Sequence, residues 1–83
     1  MYTVYIIQCE QCKYYIGYTN DLNRRLIEHN SGDSKWTSNF TDWKLIYKEE
    51  FNNKTDALKR EIFLKKLKNG NTFKNIINNF NAG

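Results

Sequence analysis

The sequence predicts an α+β fold: a small, mainly antiparallel three-stranded sheet flanked by helices, in the order β-β-α-β-α-α. Three observations predict it. Residues 2–8 and 13–18 are runs of β-branched and aromatic residues separated only by residues 9–12, which is the spacing of a hairpin. Capping residues at 19–21 and 52–55 each precede a stretch with helical periodicity. A further alternating run at 43–51 lies between those helices, so helices and strands are not strictly interleaved as they are in a parallel sheet.

The hairpin comes first. With a three-residue loop at Cys9, Glu10 and Gln11, Tyr5 falls opposite Tyr15, and both side chains leave the same face of the sheet. Gly17 comes late in the second strand, and Thr19, Asn20 and Asp21 then offer three N-cap residues for a helix over 22–30. Leu22 and Leu26 form one stripe of that helix, and Arg25 and His29 form a neighbouring one. Ser31 and Gly32 end it, with Gly32 suited to the left-handed position.

Residues 32–42 read as a polar loop anchored by Trp36 and Phe40. In the third strand, 43–51, the alternation turns Leu45, Tyr47 and Phe51 toward the core. A second helix over 56–68 carries Ala57, Leu58, Ile62 and Leu67 as its apolar positions, and Asn69-Gly70 stops it. The third helix spans 72–79, with Phe73, Ile76, Ile77 and Phe80 at i, i+3, i+4 and i+7.

At 83 residues the chain makes one small domain, 1–83; a chain of this size buries only about 60% of its unfolded surface. Its 40% hydrophobic and 16% aromatic content argues against disorder. No apolar run is long enough to span a membrane, and the start lacks the basic segment of a signal peptide, so a cytoplasmic protein is expected. Thirteen Lys and Arg against nine acids leave a charge of +4, which favours a polyanionic partner, nucleic acid first. Cys9 and Cys12, with one histidine in the chain, cannot furnish the four ligands of a zinc site. They read as ordinary thiols in a hairpin loop.

The residues that can carry chemistry stand in a fixed order. Thr3-Val4-Tyr5 is followed by Tyr15-Ile16-Gly17, and Arg25 and His29 come eight and twelve positions after Gly17. The run Lys59-Arg60-Glu61-Ile62-Phe63-Leu64-Lys65 places Glu61 in the middle of the second helix. Each residue alone has an ordinary structural reading. Strand tyrosines pack, Arg25 and His29 near a helix C-terminus suit the dipole, and Glu61 with Lys65 makes an i, i+4 pair worth about 0.3–0.5 kcal/mol.

Together and in this order the residues resemble the GIY-YIG nuclease superfamily, most of all its small stand-alone bacterial members. The resemblance runs from residue 2 to about residue 68. It departs from the family at Thr3, where the first motif has its glycine. A family asparagine after the second helix has three candidates, Asn69, Asn71 and Asn75.

The resemblance implies a metal-dependent endonuclease that hydrolyses phosphodiester bonds in DNA. Glu61 would hold a divalent metal, Mg²⁺ or Mn²⁺. One carboxylate suffices for such an ion, which keeps several waters and takes substrate phosphate oxygens. Tyr5 would be the general base, His29 would take a proton from Tyr5, Arg25 would bind the scissile phosphate, and Tyr15 would orient nucleophile or phosphate. A free tyrosine has a pKa near 10, so about 4 kcal/mol opposes the base form at pH 7. Lys13, Lys35 and Trp36 are further candidate contacts to nucleic acid, DNA before RNA. Branched or partly unpaired DNA is the expected class, because so small a domain has little room for base readout. The competing reading is a basic nucleic-acid-binding module of the same fold without turnover.

Overall fold

The structure, a computed structural model, describes residues 1–10, 12–31 and 42–82. The elements run β1 (Tyr2–Gln8), β2 (Tyr14–Thr19), α1 (Leu22–Ser31), β3 (Lys44–Phe51), α2 (Lys54–Leu67) and α3 (Asn71–Ala82). The predicted order is the observed one, and all pairing is antiparallel, with strand order β2-β1-β3. β1 is central, and its Val4, Tyr5, Ile6 and Ile7 are all buried. A strand covered on both faces reads as a continuous apolar run rather than an alternation.

Each face has its own core. Val4, Ile6, Ile16 and Tyr47 pack with Ala57 and Leu64 of α2 and with Phe73 and Ile77 of α3. On the other face Tyr5, Ile7, Cys9 and Trp43 pack with Leu22 and Leu26 of α1. Asn53 caps α2 by accepting the Asp56 N–H at 2.9 Å, and Asp21 accepts the Arg24 N–H at 3.2 Å at the start of α1. Asn69, at φ 71°, takes the left-handed position that ends α2.

Three expectations need correction. Tyr5 faces Gly17, and Tyr15 faces Ile7. The turn sits one residue later than expected: the Cys9 N–H bonds the Lys13 carbonyl at 3.1 Å, the Cys12 N–H bonds the Cys9 carbonyl at 2.9 Å, and Cys12 has φ 62°. Moving the turn by one residue moves the register by two, so Tyr5 and Tyr15 still share a face, now as diagonal neighbours.

The second correction is in β3. Between Ile6 and Ile7 the register slips, from Ile6↔Tyr47 to Ile7↔Leu45. This bulge breaks the alternation. Tyr47 and Phe51 join the α2–α3 core, and Leu45 joins the core under α1. Trp43 precedes the strand and is buried.

The third concerns the rotation of α2. Its buried residues are Ala57, Glu61 and Leu64, whereas Leu58 and Ile62 are 37% and 45% exposed. The helix therefore turns a carboxylate inward and leaves two aliphatic side chains outward. A buried acid in place of a core residue is costly unless something offsets its charge, so the rotation points to a site around Glu61.

Candidate active site

Gly17 explains how the two tyrosines share one face of a narrow hairpin. A Cβ there would stand 2.8 Å from the Tyr5 hydroxyl oxygen, and 3.0 Å from both Tyr5 Cζ and Tyr15 Cε1. The Tyr5 ring crosses the space that a side chain on β2 would fill. Its centroid lies 6.2 Å from that of Tyr15.

Beneath this pair lies His29, only 1% exposed. Its Nε2 is 2.9 Å from the Tyr5 hydroxyl, and its ring centroid is 4.7 Å from that of Tyr15. Asn30 fixes the end of α1 to the start of β3. Its side chain accepts the Trp43 N–H at 2.8 Å and donates to the Trp43 carbonyl at 3.1 Å, copying the two-bond pattern of a strand pair. The imidazole of the preceding residue, His29, is thus held against the sheet by this side-chain-to-backbone clamp.

The site shifts both partners of the Tyr5–His29 contact. The Tyr5 pKa is pushed up to about 12, first by burial and then by the neighbouring Tyr15; Arg25 pulls the other way and Glu61 adds to the rise. His29 is pushed down to about 4, first by burial and then by Arg25, with Glu28 opposing. At neutral pH Tyr5 is a phenol and His29 a neutral imidazole. In the Nδ1–H tautomer, the Tyr5 O–H donates to His29 Nε2.

Arg25 sits one turn before His29, with its guanidinium partly exposed. Its Nη1 donates to Glu28 Oε1 at 2.8 Å, and this pairing is the main reason its pKa is raised. Glu28 therefore fixes the direction of the fork while leaving Arg25 at the mouth of the cavity. Nothing in the sequence order flagged Glu28. Its i, i+3 spacing from Arg25 is the signal available, and that spacing is common on any charged helix.

A cavity of about 550 Å³ opens between β2 and the two helices; Tyr5, Tyr15, Gly17, Arg25, Lys54 and Glu61 line it together with neighbouring residues. The structure thus brings Tyr5, Tyr15, Arg25 and Glu61 to one concavity, with His29 directly behind Tyr5. Glu61 is 8% exposed. Its ion pair to Lys65 Nζ is long at 3.6 Å and reaches a half-exposed lysine. Among the described residues no group of three or more His, Cys, Asp or Glu side chains gathers to hold a metal. A lone inward carboxylate beside tyrosine hydroxyls is an all-oxygen donor set. It fits a hard cation that retains water, such as Mg²⁺ or Mn²⁺.

The other candidates stand apart. Lys13 is exposed in the β1–β2 turn and does not line this cavity. Asn69, Asn71 and Asn75 are exposed and do not line it either. Lys35 and Trp36, like the loop anchor Phe40, lie outside the described residues.

The chain is similar to known proteins over most of its length. A family model described as the GIY-YIG catalytic domain matches residues 1–75. UPF0213 protein VNG_2274C of Halobacterium salinarum is 44% identical over 68 residues, which cover 81% of this chain and 88% of that protein. UPF0213 protein SSP2268 of Staphylococcus saprophyticus is 40% identical over 63 residues, covering 75% of this chain and 77% of that one. Among solved structures, the solution NMR structure of UPF0213 protein BH0048 from Bacillus halodurans is similar. Its TM-score is 0.52 at 34% identity, covering 83% of this chain and 76% of that chain.

Proposed function

The chain belongs to the GIY-YIG family of nucleases, and on that premise we propose that it is a metal-dependent endonuclease that hydrolyses phosphodiester bonds in DNA. The observation that carries this reading is the inward rotation of α2. Glu61 occupies the stripe between Ala57 and Leu64, where packing alone calls for an apolar residue, and lines the same cavity as Tyr5, Tyr15 and Arg25. A domain that only bound nucleic acid would gain nothing from a buried carboxylate, which repels phosphate.

Glu61 would hold Mg²⁺ or Mn²⁺. When bound, such an ion supplies Lewis-acid charge neutralisation and a template for the phosphate. The chain's own residues do the rest. Arg25 takes two phosphate oxygens with its fork, which Glu28 has already aimed. Tyr15 orients the phosphate or the attacking water.

Tyr5 takes the proton of that water. At a pKa of about 12, a free phenolate is opposed by about 7 kcal/mol at pH 7, more than the ordinary tyrosine value allows for. A relay removes the need for one. As the water oxygen bonds to phosphorus and the P–O bond to the leaving group breaks, the water proton passes to Tyr5 and the Tyr5 proton to His29 Nε2, 2.9 Å away. A phosphate on Arg25 cancels part of the charge that holds His29 down, so substrate binding itself raises the basicity of the acceptor.

Branched or partly unpaired DNA, as in repair or recombination in the cytoplasm, is the substrate class that suits a catalytic domain with little room for base readout. Incubating the protein with labelled duplex, single-stranded and branched DNA, and with RNA, in Mg²⁺, Mn²⁺ or EDTA tests the reading. Cleavage of DNA in either metal and none in EDTA is the expected result. Salt-sensitive binding without cleavage in any metal would replace it with the binding module.

A further inference from the structure

α2 and its C-cap carry more positive charge along the site than hydrolysis at one phosphate requires. Relative to Glu61, Lys54 stands seven residues before, Lys65 four after and Lys68 seven after. At 3.6 residues per turn these offsets return to one side of a helix. Lys54 lines the catalytic cavity with Glu61. Lys65 and Lys68 line a second cavity of about 340 Å³, whose other wall is Tyr14, Tyr15 and Ile16 of β2.

Both cavities include Tyr15. Each is walled by α2 and by β2, an edge strand of the sheet. Tyr14 is a fixed part of the wall, because its ring stands edge-on to Phe73 at 5.2 Å. The second cavity therefore pairs two cations with a fixed tyrosine ring, the combination that holds a nucleic-acid backbone and stacks a base or sugar.

We propose that this second cavity is a subsite for the strand on one side of the scissile bond, with Lys65 and Lys68 on its phosphates and the Tyr14–Tyr15 wall against sugar or base. The subsite rests on the nuclease reading for its register. A strand crossing Glu61 meets a carboxylate, and the lysines beyond it offset that repulsion where the next phosphates lie. From Glu61 to Lys68 the helix rises about 10 Å, which is about three steps of a duplex strand at 3.4 Å each. The subsite thus sets a minimum length of about three nucleotides on one side of the cut and none of that origin on the other.

Lys68→Ala is the informative variant, since Lys65 touches Glu61 and its loss would disturb the centre itself. Circular dichroism confirms that the variant is folded. Binding of short labelled DNA is measured in EDTA over a range of salt, beside cleavage in Mg²⁺ of substrates shortened stepwise from either end. The expected result is a slope of log affinity against log salt shallower by about 0.7–0.9 in Lys68→Ala, restored by Lys68→Arg. Wild type should lose affinity when one side is cut below about three nucleotides, and the variant should be indifferent to that shortening. Equal slopes and equal length dependence in the two proteins would overturn the subsite even if wild type cleaves normally. A shallower slope in a protein that never cleaves would support the subsite and count against the hydrolytic reading alone.

Discussion

The Tyr5 hydroxyl lies 2.9 Å from His29 Nε2, a buried contact between residues 24 positions apart. It joins the central strand to the last turn of α1. Burial pushes the two pKa values in opposite directions, Tyr5 up to about 12 and His29 down to about 4. The resting pair is therefore a proton donor and a proton acceptor already in contact, and the proposed relay needs no separated charge before substrate arrives.

Replacing Tyr5 by Phe removes the hydroxyl and keeps the ring. Loss of a positioned acid–base group predicts a fall in cleavage rate of about 10²–10⁴-fold. The abandoned Nε2 of His29 also costs about 1–3 kcal/mol of stability. Single-turnover cleavage and denaturant unfolding read the two effects separately. A Tyr5→Phe rate within tenfold of wild type would remove Tyr5 from the proton path.

Gly17→Ala tests the crossing of Tyr5 over β2. The new methyl would stand 2.8 Å from the Tyr5 hydroxyl oxygen, and Tyr5, at 1% exposure, cannot swing clear. Overpacking of this kind costs about 1–3 kcal/mol. Because the displaced atom is the one proposed to take the water proton, cleavage should fall even well below the melting temperature, with Mg²⁺-independent DNA binding kept. A stable variant with normal cleavage would show that the close approach is not needed.

His29 predicts a pH dependence of stability. Its folded pKa, about 4, lies below the ordinary 6.5 because burial and then Arg25 oppose the charged ring. Between those values the unfolded chain binds a proton that the folded chain does not. Stability is therefore complete above pH 6.5 and drains away as pH falls toward 4, by up to about 3 kcal/mol in all. Urea unfolding at pH 7 and pH 5.5 should differ by about 1 kcal/mol from this group. His29 is the chain's one histidine, so His29→Phe should flatten the dependence over that interval. Equal stability of wild type at the two values would contradict a buried neutral imidazole.

Much of this architecture is legible in the residues. All six elements appear in the expected order, because each has a local signal: β-branched runs, capping residues, or an i, i+3, i+4 stripe as in Phe73, Ile76 and Ile77. The illegible parts depend on docking. The hairpin register turns on whether Cys9 or Cys12 closes the turn, and Cys12 at φ 62° is not a residue that advertises a left-handed position. The β3 bulge sends Leu45 and Tyr47 to different cores, which no alternation reveals. Leu58 and Ile62 outweigh Glu61 in any apolar count, so α2 reads as rotated until its partner sheet is present.

The site divides the same way. Tyr5, Tyr15, Arg25, His29 and Glu61 stand out by order and spacing, yet their convergence depends on Gly17 leaving room and on Asn30 clamping Trp43. The roles of Glu28 and Asn30 are not legible in the sequence, because each is one polar residue on a polar helix, given its role by a partner that only folding supplies.

In the proposed mechanism the carboxylate turned inward on α2 holds a metal for hydrolysis. Cleavage and binding of the same labelled DNA by wild type and Glu61→Gln, in Mg²⁺ and in EDTA, test it most directly. Cleavage by wild type in Mg²⁺ alone, none by Glu61→Gln, and DNA binding by both are expected. Cleavage that persists in Glu61→Gln, or that survives EDTA, would contradict it.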